Sequence, residues 1–205
     1  MEFIKPSFEI IDDLDGKTII KKIEKCGRVC YKSEDRITED SAEKFIRGLI
    51  KSGHESVLEH ASVTVKFIIS RAIANEIVRH RIASYSQEST RYCNYKGGIK
   101  VVAPKDCEED EGYRKICKIS EAQYKKMIAQ IFKAEIARGI LPNDLKTELV
   151  MTANLREWRH FFKLRCDSHA HPELRRVTIP LLEEFYRQIP VVFEDLWEVF
   201  CHESE

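Results

Sequence analysis

Ser62-Val63-Thr64-Val65-Lys66-Phe67-Ile68-Ile69-Ser70 alternates apolar and polar side chains, with Ile68 as the one exception. Successive side chains of an extended chain point to opposite faces, so Val63, Val65, Phe67 and Ile69 share one of them. A period of two predicts a strand with one buried face, the pattern of an antiparallel sheet. The spacing then changes at once. From Arg71 to His80 the apolar residues Ile73, Ala74 and Ile77 recur as on a helix. A strand of this kind followed directly by a helix argues for an α+β fold.

Upstream, Ser7 to Asp12 reads as a first strand and Asp13 to Gly16 as a turn. Ile19, Ile20, Ile23 and Cys26 then mark a helix from Lys17 to Cys30. Thr38 and Ser41 are N-cap candidates for a helix through Ile50, packed by Phe45, Ile46, Leu49 and Ile50, and Gly53 stops it. Downstream, the chain reads as extended beyond Ser84 and turns at Asn94 to Gly98, and an apolar run from Ile99 to Ala103 ends at Pro104. The acidic residues Glu108, Glu109, Asp110 and Glu111 suit a helix start. Tyr113, Ile116, Cys117, Tyr124, Met127, Ile128, Ile131 and Phe132 carry that helix toward Arg138, before Gly139 and Pro142. Further helices are expected at Asn154 to Cys166, Pro172 to Gln188 with a kink at Pro180, and Pro190 to His202. The expectation is one α+β domain over residues 1–205: an antiparallel sheet flanked by helices, a long central helix and a helical C-terminal part.

Composition narrows the function. With 34 Lys+Arg against 34 Asp+Glu the formal net charge is zero, so an anion site must be a local cluster of arginines. That weighs against a general nucleic-acid binder. The seven cysteines form no Cys-x-x-Cys pair and read as reduced thiols of a cytoplasmic protein. Neither a signal-peptide core nor a membrane-length apolar run stands in the sequence.

Arg79 to Tyr92 (RHRIASYSQESTRY) is dense in guanidinium, hydroxyl and amide groups, the groups that grip phosphates and base edges. If the helix runs to His80, Glu76 lies one turn before Arg79 and His80, and Arg81 falls over the apolar side. Cations at a helix C-terminus are also favoured by the dipole alone. If the chain is extended beyond Ser84, Gln87, Ser89 and Arg91 share a face, with Ser86, Glu88 and Thr90 on the other. In the helix after Asn154, Leu155, Trp158, Phe161 and Phe162 make an apolar arc, while Arg156, Arg159, His160 and Lys163 lie elsewhere. Asn154 and Arg165 fall inside the arc. An arginine there needs an anionic or polar partner, either a ligand or Asp167. His54, His60, His169 and His171 lack metal-ligand spacing, so no metal is expected. His54 and Ser56 are pocket candidates, or they cap neighbouring elements.

Arg79-His80-Arg81, then seven residues, then Ser89, resembles the signature of the flavin-dependent thymidylate synthase family, with Ser84 and Arg91 alongside. Gly53-His54-Glu55, Asn154-x-Arg156 and Leu164-Arg165-x-Asp167-Ser168-His169-Ala170 also look like that family. The resemblance implies conversion of dUMP to dTMP. Methylenetetrahydrofolate would be the carbon donor, FAD the hydride carrier and NADPH the reductant, without a cysteine nucleophile. It implies that Arg165 activates the uracil ring. It places Glu76, Ile77, Val78, Arg79, Gln87, Glu88, Ser89, Thr90, Arg91, Arg138 and Arg165 at dUMP. It places His54, Ser56, Arg79, His80, Arg81, Gln87, Asn154, Arg156 and His160 at the flavin. A homotetramer is implied as well. Three positions depart from the family pattern: Glu76 stands where glutamine is expected, Gln87 where glutamate is common, and His160 where asparagine is frequent.

Overall fold

The computed structural model describes residues 1–201. In chain order the elements are β1 Glu2–Phe3, β2 Ser7–Ile10, α1 Gly16–Val29, α2 Ser41–Lys51, β3 Ser62–Ser70, α3 Arg71–Ile77, β4 Ala83–Gln87, β5 Lys100–Val101, α4 Glu111–Ala129, α5 Ala134–Ala137, β6 Lys146–Asn154, α6 Leu155–Arg165, α7 Pro172–Gln188 and α8 Pro190–Phe200. Strands β2, β3, β6 and β4, in that order, make an antiparallel sheet flanked by helices, and β1 pairs in parallel with β5. The α+β class and the helical C-terminal part are as the sequence predicts.

The chain forms two compact units. The first holds Met1–Glu9, Lys66–Arg79 and Tyr85–Met151. Its core gathers Ile99, Val101, Cys117 and Leu145, with Phe3, Tyr95, Tyr113 and Leu141 packed against them. The Tyr113 hydroxyl donates to Asp144 Oδ2 at 2.9 Å. Burial and that carboxylate push the phenol well above its usual range.

The second unit holds Ile10–Val65, His80–Ser84 and the chain from Thr152 onward. Its core is aromatic. Trp158, Phe161, Phe162, Phe185 and Phe193 are fully buried, with ring centroids 5.1–5.8 Å apart in successive pairs. Each such ring contributes roughly 1.5–3 kcal/mol by leaving water. The indole of Trp158 donates to the Val63 carbonyl at 3.0 Å, so burying it leaves its N–H bonded.

Several boundaries differ from the sequence expectation, each for a local reason. Strands β1 and β6 have no counterpart in it. Helix α1 begins at Gly16, capped by Asp15, whose Oδ1 accepts from Thr18 N at 3.2 Å. The N-cap of α2 is Asp40; the Ser41 hydroxyl instead donates to Glu24 Oε2 at 2.9 Å. Helix α3 stops at Ile77, three residues early, so the helical projection of Arg81 does not apply and Arg81 is exposed. The extended segment ends at Gln87. Tyr92 N and Cys93 N then bond back to the Ser89 carbonyl, so Ser89 and Arg91 lie in a turn and not on a strand face.

The long helix is shorter than expected. It runs from Glu111 to Ala129 and closes in a Schellman turn, with Phe132 N to Met127 O and Ile131 N to Ile128 O, both 3.1 Å. Ile131 takes the left-handed position at φ 68°. Arg138 therefore follows a separate short helix, α5. Helix α7 runs through Pro180, and α8 ends at Phe200; His202, the expected helix end, lies outside the described residues. No described helix is long and apolar enough to cross a membrane.

Candidate active site

The first unit carries an arginine-lined cavity of about 330 Å³, bordered by Arg71, Thr90, Arg138, Pro142 and Asn143. Ser70 caps α3 through its hydroxyl, which accepts from Ile73 N at 3.2 Å, and so places Arg71 in the first helical turn. Arg71 Nη1 donates to the Glu88 carbonyl at 3.3 Å. Arg138 Nη1 donates to the Thr90 hydroxyl at 2.9 Å. Two guanidinium groups and a hydroxyl thus border one concavity, a donor set suited to a phosphate. Arg71 was not among the sequence candidates. It is the N1 residue of a helix, where its side chain reads as ordinary surface charge.

The other dUMP candidates of this unit are differently occupied. Gln87 Nε2 donates to the Thr147 hydroxyl at 3.3 Å. Glu88 accepts from the Tyr95 hydroxyl at 2.8 Å and from Lys146 Nζ at 3.0 Å. Burial, then the Glu88 contact, pushes the Tyr95 phenol above its usual range. Ser89 Oγ accepts from Arg91 N at 3.3 Å, and Arg91 reaches Glu135 at 3.6 Å. The Ile77 carbonyl accepts from the Tyr85 hydroxyl at 3.0 Å. Glu76 is half-buried on α3, whereas Val78 and Arg79 are exposed just after it.

The second unit carries a cavity of about 400 Å³ lined by Gly27, Cys30, Gly53, His54, Ser56 and Arg156 among others. Gly53, at φ 71°, ends α2 in another Schellman turn, with His54 N to Leu49 O at 2.8 Å. That turn delivers His54 and Ser56 to the cavity rim, both exposed. Arg156 Nη1 meets Glu59 at 2.6 Å. Asn154 does not lie in the apolar arc of α6. Its Oδ1 caps the helix, accepting from Glu157 N at 2.9 Å. Arg159 also departs from the projection: it is 1% exposed, held by Glu55 and Asp195.

Arg165 is half-buried at the end of α6, and its Nε donates to His80 Nε2 at 2.9 Å. His80 Nδ1 lies 3.1 Å from Glu157 Oε1. Burial, aided by the Arg165 charge and resisted by Glu157, holds the His80 imidazole below its ordinary value. His160, exposed on α6, brings its ring to 5.7 Å from that of His80. His80, Glu157 and His160 have ligand atoms within 4.8 Å of one another. Of the two ring nitrogens of His80, Nε2 is taken by Arg165 from outside this cluster.

Comparison with known proteins places the chain. The family described as thymidylate synthase complementing protein matches residues 11–191. A flavin-dependent thymidylate synthase of Mycobacterium tuberculosis (strain H37Rv) is 36% identical, covering 89% of this chain and 81% of that protein. One of Mycobacterium marinum is 35% identical over the same shares. The fold also matches solved structures of a UMP/dUMP methylase, PolB, from Streptomyces cacaoi. The form bound with 5-Br dUMP has a TM-score of 0.80 at 22% identity, with 98% of each chain covered. The form with 5-Br UMP has 0.78 at 20% identity. The chain belongs to the flavin-dependent thymidylate synthase family.

Proposed function

We propose that this protein catalyses the reductive methylation of dUMP to dTMP. Methylenetetrahydrofolate supplies the carbon and leaves as tetrahydrofolate, and NADPH supplies the reducing equivalents through FAD. The observation that carries this reading is the cavity where Arg71, Arg138 and Thr90 meet, which fits the dianionic end of a nucleoside monophosphate. Relatives in the family are named for thymidylate synthesis, and a structural neighbour holds 5-Br dUMP.

The residues of the second cavity fit a flavin. His54, Ser56 and Arg156 offer polar and cationic groups beside the apolar walls of Leu49 and Val57. Bound there, FAD would carry electrons from the nicotinamide to the folate-derived carbon. Arg81 is a further exposed cation of this unit, and Asn154 contributes by fixing the start of α6. Arg165 is the residue assigned to the uracil. A positively charged fork held by a neighbour stabilises negative charge developing on the ring without reorganising. The buried cysteines are unsuited to attack: burial pushes the Cys166 thiol up to about 12 and raises Cys117, the opposite of an activated nucleophile. We take the enzyme to be a cytoplasmic homotetramer, which sedimentation can check.

The test is direct. The purified chain, given FAD, dUMP, methylenetetrahydrofolate and NADPH, forms dTMP detectable by chromatography, shows the visible spectrum of bound flavin, and is indifferent to chelators. A chain that binds no flavin and makes no dTMP sinks the proposal.

A further inference from the structure

Arg165 Nε can only donate a hydrogen bond, so the atom it meets, His80 Nε2, must be bare. A neutral imidazole with a bare Nε2 carries its proton on Nδ1, and Nδ1 faces Glu157 Oε1 at 3.1 Å. Glu157 and His80 are buried at 6% and 5% exposure, so water does not easily replace either contact. The His80 ring is also wedged edge-on against Phe161 at 4.9 Å. Glu157 itself is set by the first turn of α6, where its backbone N–H is the one capped by Asn154.

We propose that His80 is a positioning residue for Arg165, and that Glu157 fixes the His80 tautomer which makes this possible. The chain Glu157–His80–Arg165 sets the plane of the guanidinium fork from behind, through Nε. This deepens the proposed function and rests on it, since Arg165 is taken there as the group that engages the uracil. Nothing in the family resemblance gives Glu157 a part. Its functional signal is purely geometric, a buried carboxylate one hydrogen bond away from a histidine that is one hydrogen bond away from Arg165. The depressed basicity of His80 agrees, because a protonated ring could not accept from Arg165.

The experiment is a double-mutant cycle on the full-length enzyme with FAD bound, using Glu157→Leu and Arg165→Lys. Lysine keeps the charge but lacks the Nε–H. Alone, Glu157→Leu is expected to lower kcat for dTMP formation about tenfold or more, with KM for dUMP within about twofold and the flavin spectrum unchanged. In the Arg165→Lys background the same change should add nothing, since the interaction it serves is gone. A kcat that survives Glu157→Leu, or a loss that multiplies undiminished in the lysine background, overturns the inference. If Glu157→Leu yields no folded protein, the pair His80→Gln and His80→Phe replaces it. The glutamine carbonyl can accept near the Nε2 position and phenylalanine cannot, so glutamine should retain about tenfold more kcat; equal rates overturn the inference. A wild-type protein that makes no dTMP at all sinks the proposed function itself, a different failure from an active enzyme that ignores Glu157.

Discussion

Arg159 meets Asp195 in a two-pronged ion pair, Nη1 to Oδ1 and Nη2 to Oδ2, both at 2.7 Å. The same guanidinium donates from Nε to Glu55 at 3.2 Å and from Nη1 to the Val192 carbonyl. Burial works against the ionised Asp195, yet the Arg159 contacts outweigh it and hold that carboxyl below its ordinary value. Arg159→Met removes all of these donors and leaves two carboxylates and a carbonyl facing a buried thioether. Because Asp195 is 47% exposed, its stranded charge is solvated by water, and the loss is that of charge-assisted hydrogen bonds, about 1.5–3 kcal/mol. Urea unfolding should show a loss of about 2 kcal/mol, with a lowered thermal midpoint. An unchanged midpoint would show that this pair contributes nothing net.

Arg159 also marks where the sequence stopped being legible. The apolar arc of α6 is readable because Leu155, Trp158, Phe161 and Phe162 recur at helical spacing, and all four are buried. An arginine beside that arc reads as solvent-facing. Only the arrival of Glu55 and Asp195 from distant sequence positions makes its burial tolerable. Strand β6 was hidden differently. Thr147 is fully buried and Val150 is not, so polarity and burial fall out of step there, although Leu149, Met151 and Ala153 do alternate inward. Arg165 stands out in the sequence from its place in an apolar arc, and His80 from the family resemblance of the Arg79-His80-Arg81 stretch. Their contact, across 85 positions, does not.

Ile131 ends α4 in the left-handed region at φ 68°, a conformation that a β-branched side chain resists. No glycine stands at this helix end, so the sequence alone predicts a longer helix. The side chain is 91% exposed, so little packing offsets the strain. Ile131→Gly is therefore expected to stabilise the protein by about 1 kcal/mol, the usual cost of the left-handed region to a residue with a Cβ. Thermal unfolding checks the sign; destabilisation would mean that the isoleucine makes a contact worth more than the strain.

Cys166 gives a pH dependence with a fixed direction. Its thiol ionises near 9.0 in ordinary surroundings but at about 12 in the fold, because burial penalises the thiolate. Above 9 the unfolded chain releases this proton and the folded chain keeps it, so the free energy of unfolding falls as pH rises. The contribution is complete below pH 9 and drains away between 9 and 12, at about 1.4 kcal/mol per pH unit inside that window. Urea midpoints measured from pH 8 upward should fall more steeply for the wild type than for Cys166→Ala. Because the proposed mechanism uses no cysteine nucleophile, the same variant is expected to form dTMP still.

Arg138 reaches Thr90 from the end of a short helix, over the cavity proposed for the nucleotide phosphate. Its guanidinium is on the exposed side of that contact, whereas Arg71 is half-buried and tied to the Glu88 carbonyl. The two arginines should therefore differ in what their loss does. Arg138→Ala removes a charged donor from a wet site. Calorimetric titration should show dUMP bound about 10–100-fold more weakly, the loss of a hydrogen bond to a charged group at about 1.5–3 kcal/mol. Arg71→Ala removes a similar donor and also releases the Glu88 carbonyl, so a fall in thermal stability should accompany its loss of affinity. Deoxyuridine, which lacks the phosphate, separates the phosphate contact from the rest. Its weaker binding should be unaffected by Arg138→Ala, and an equal loss for both ligands would place Arg138 away from the phosphate.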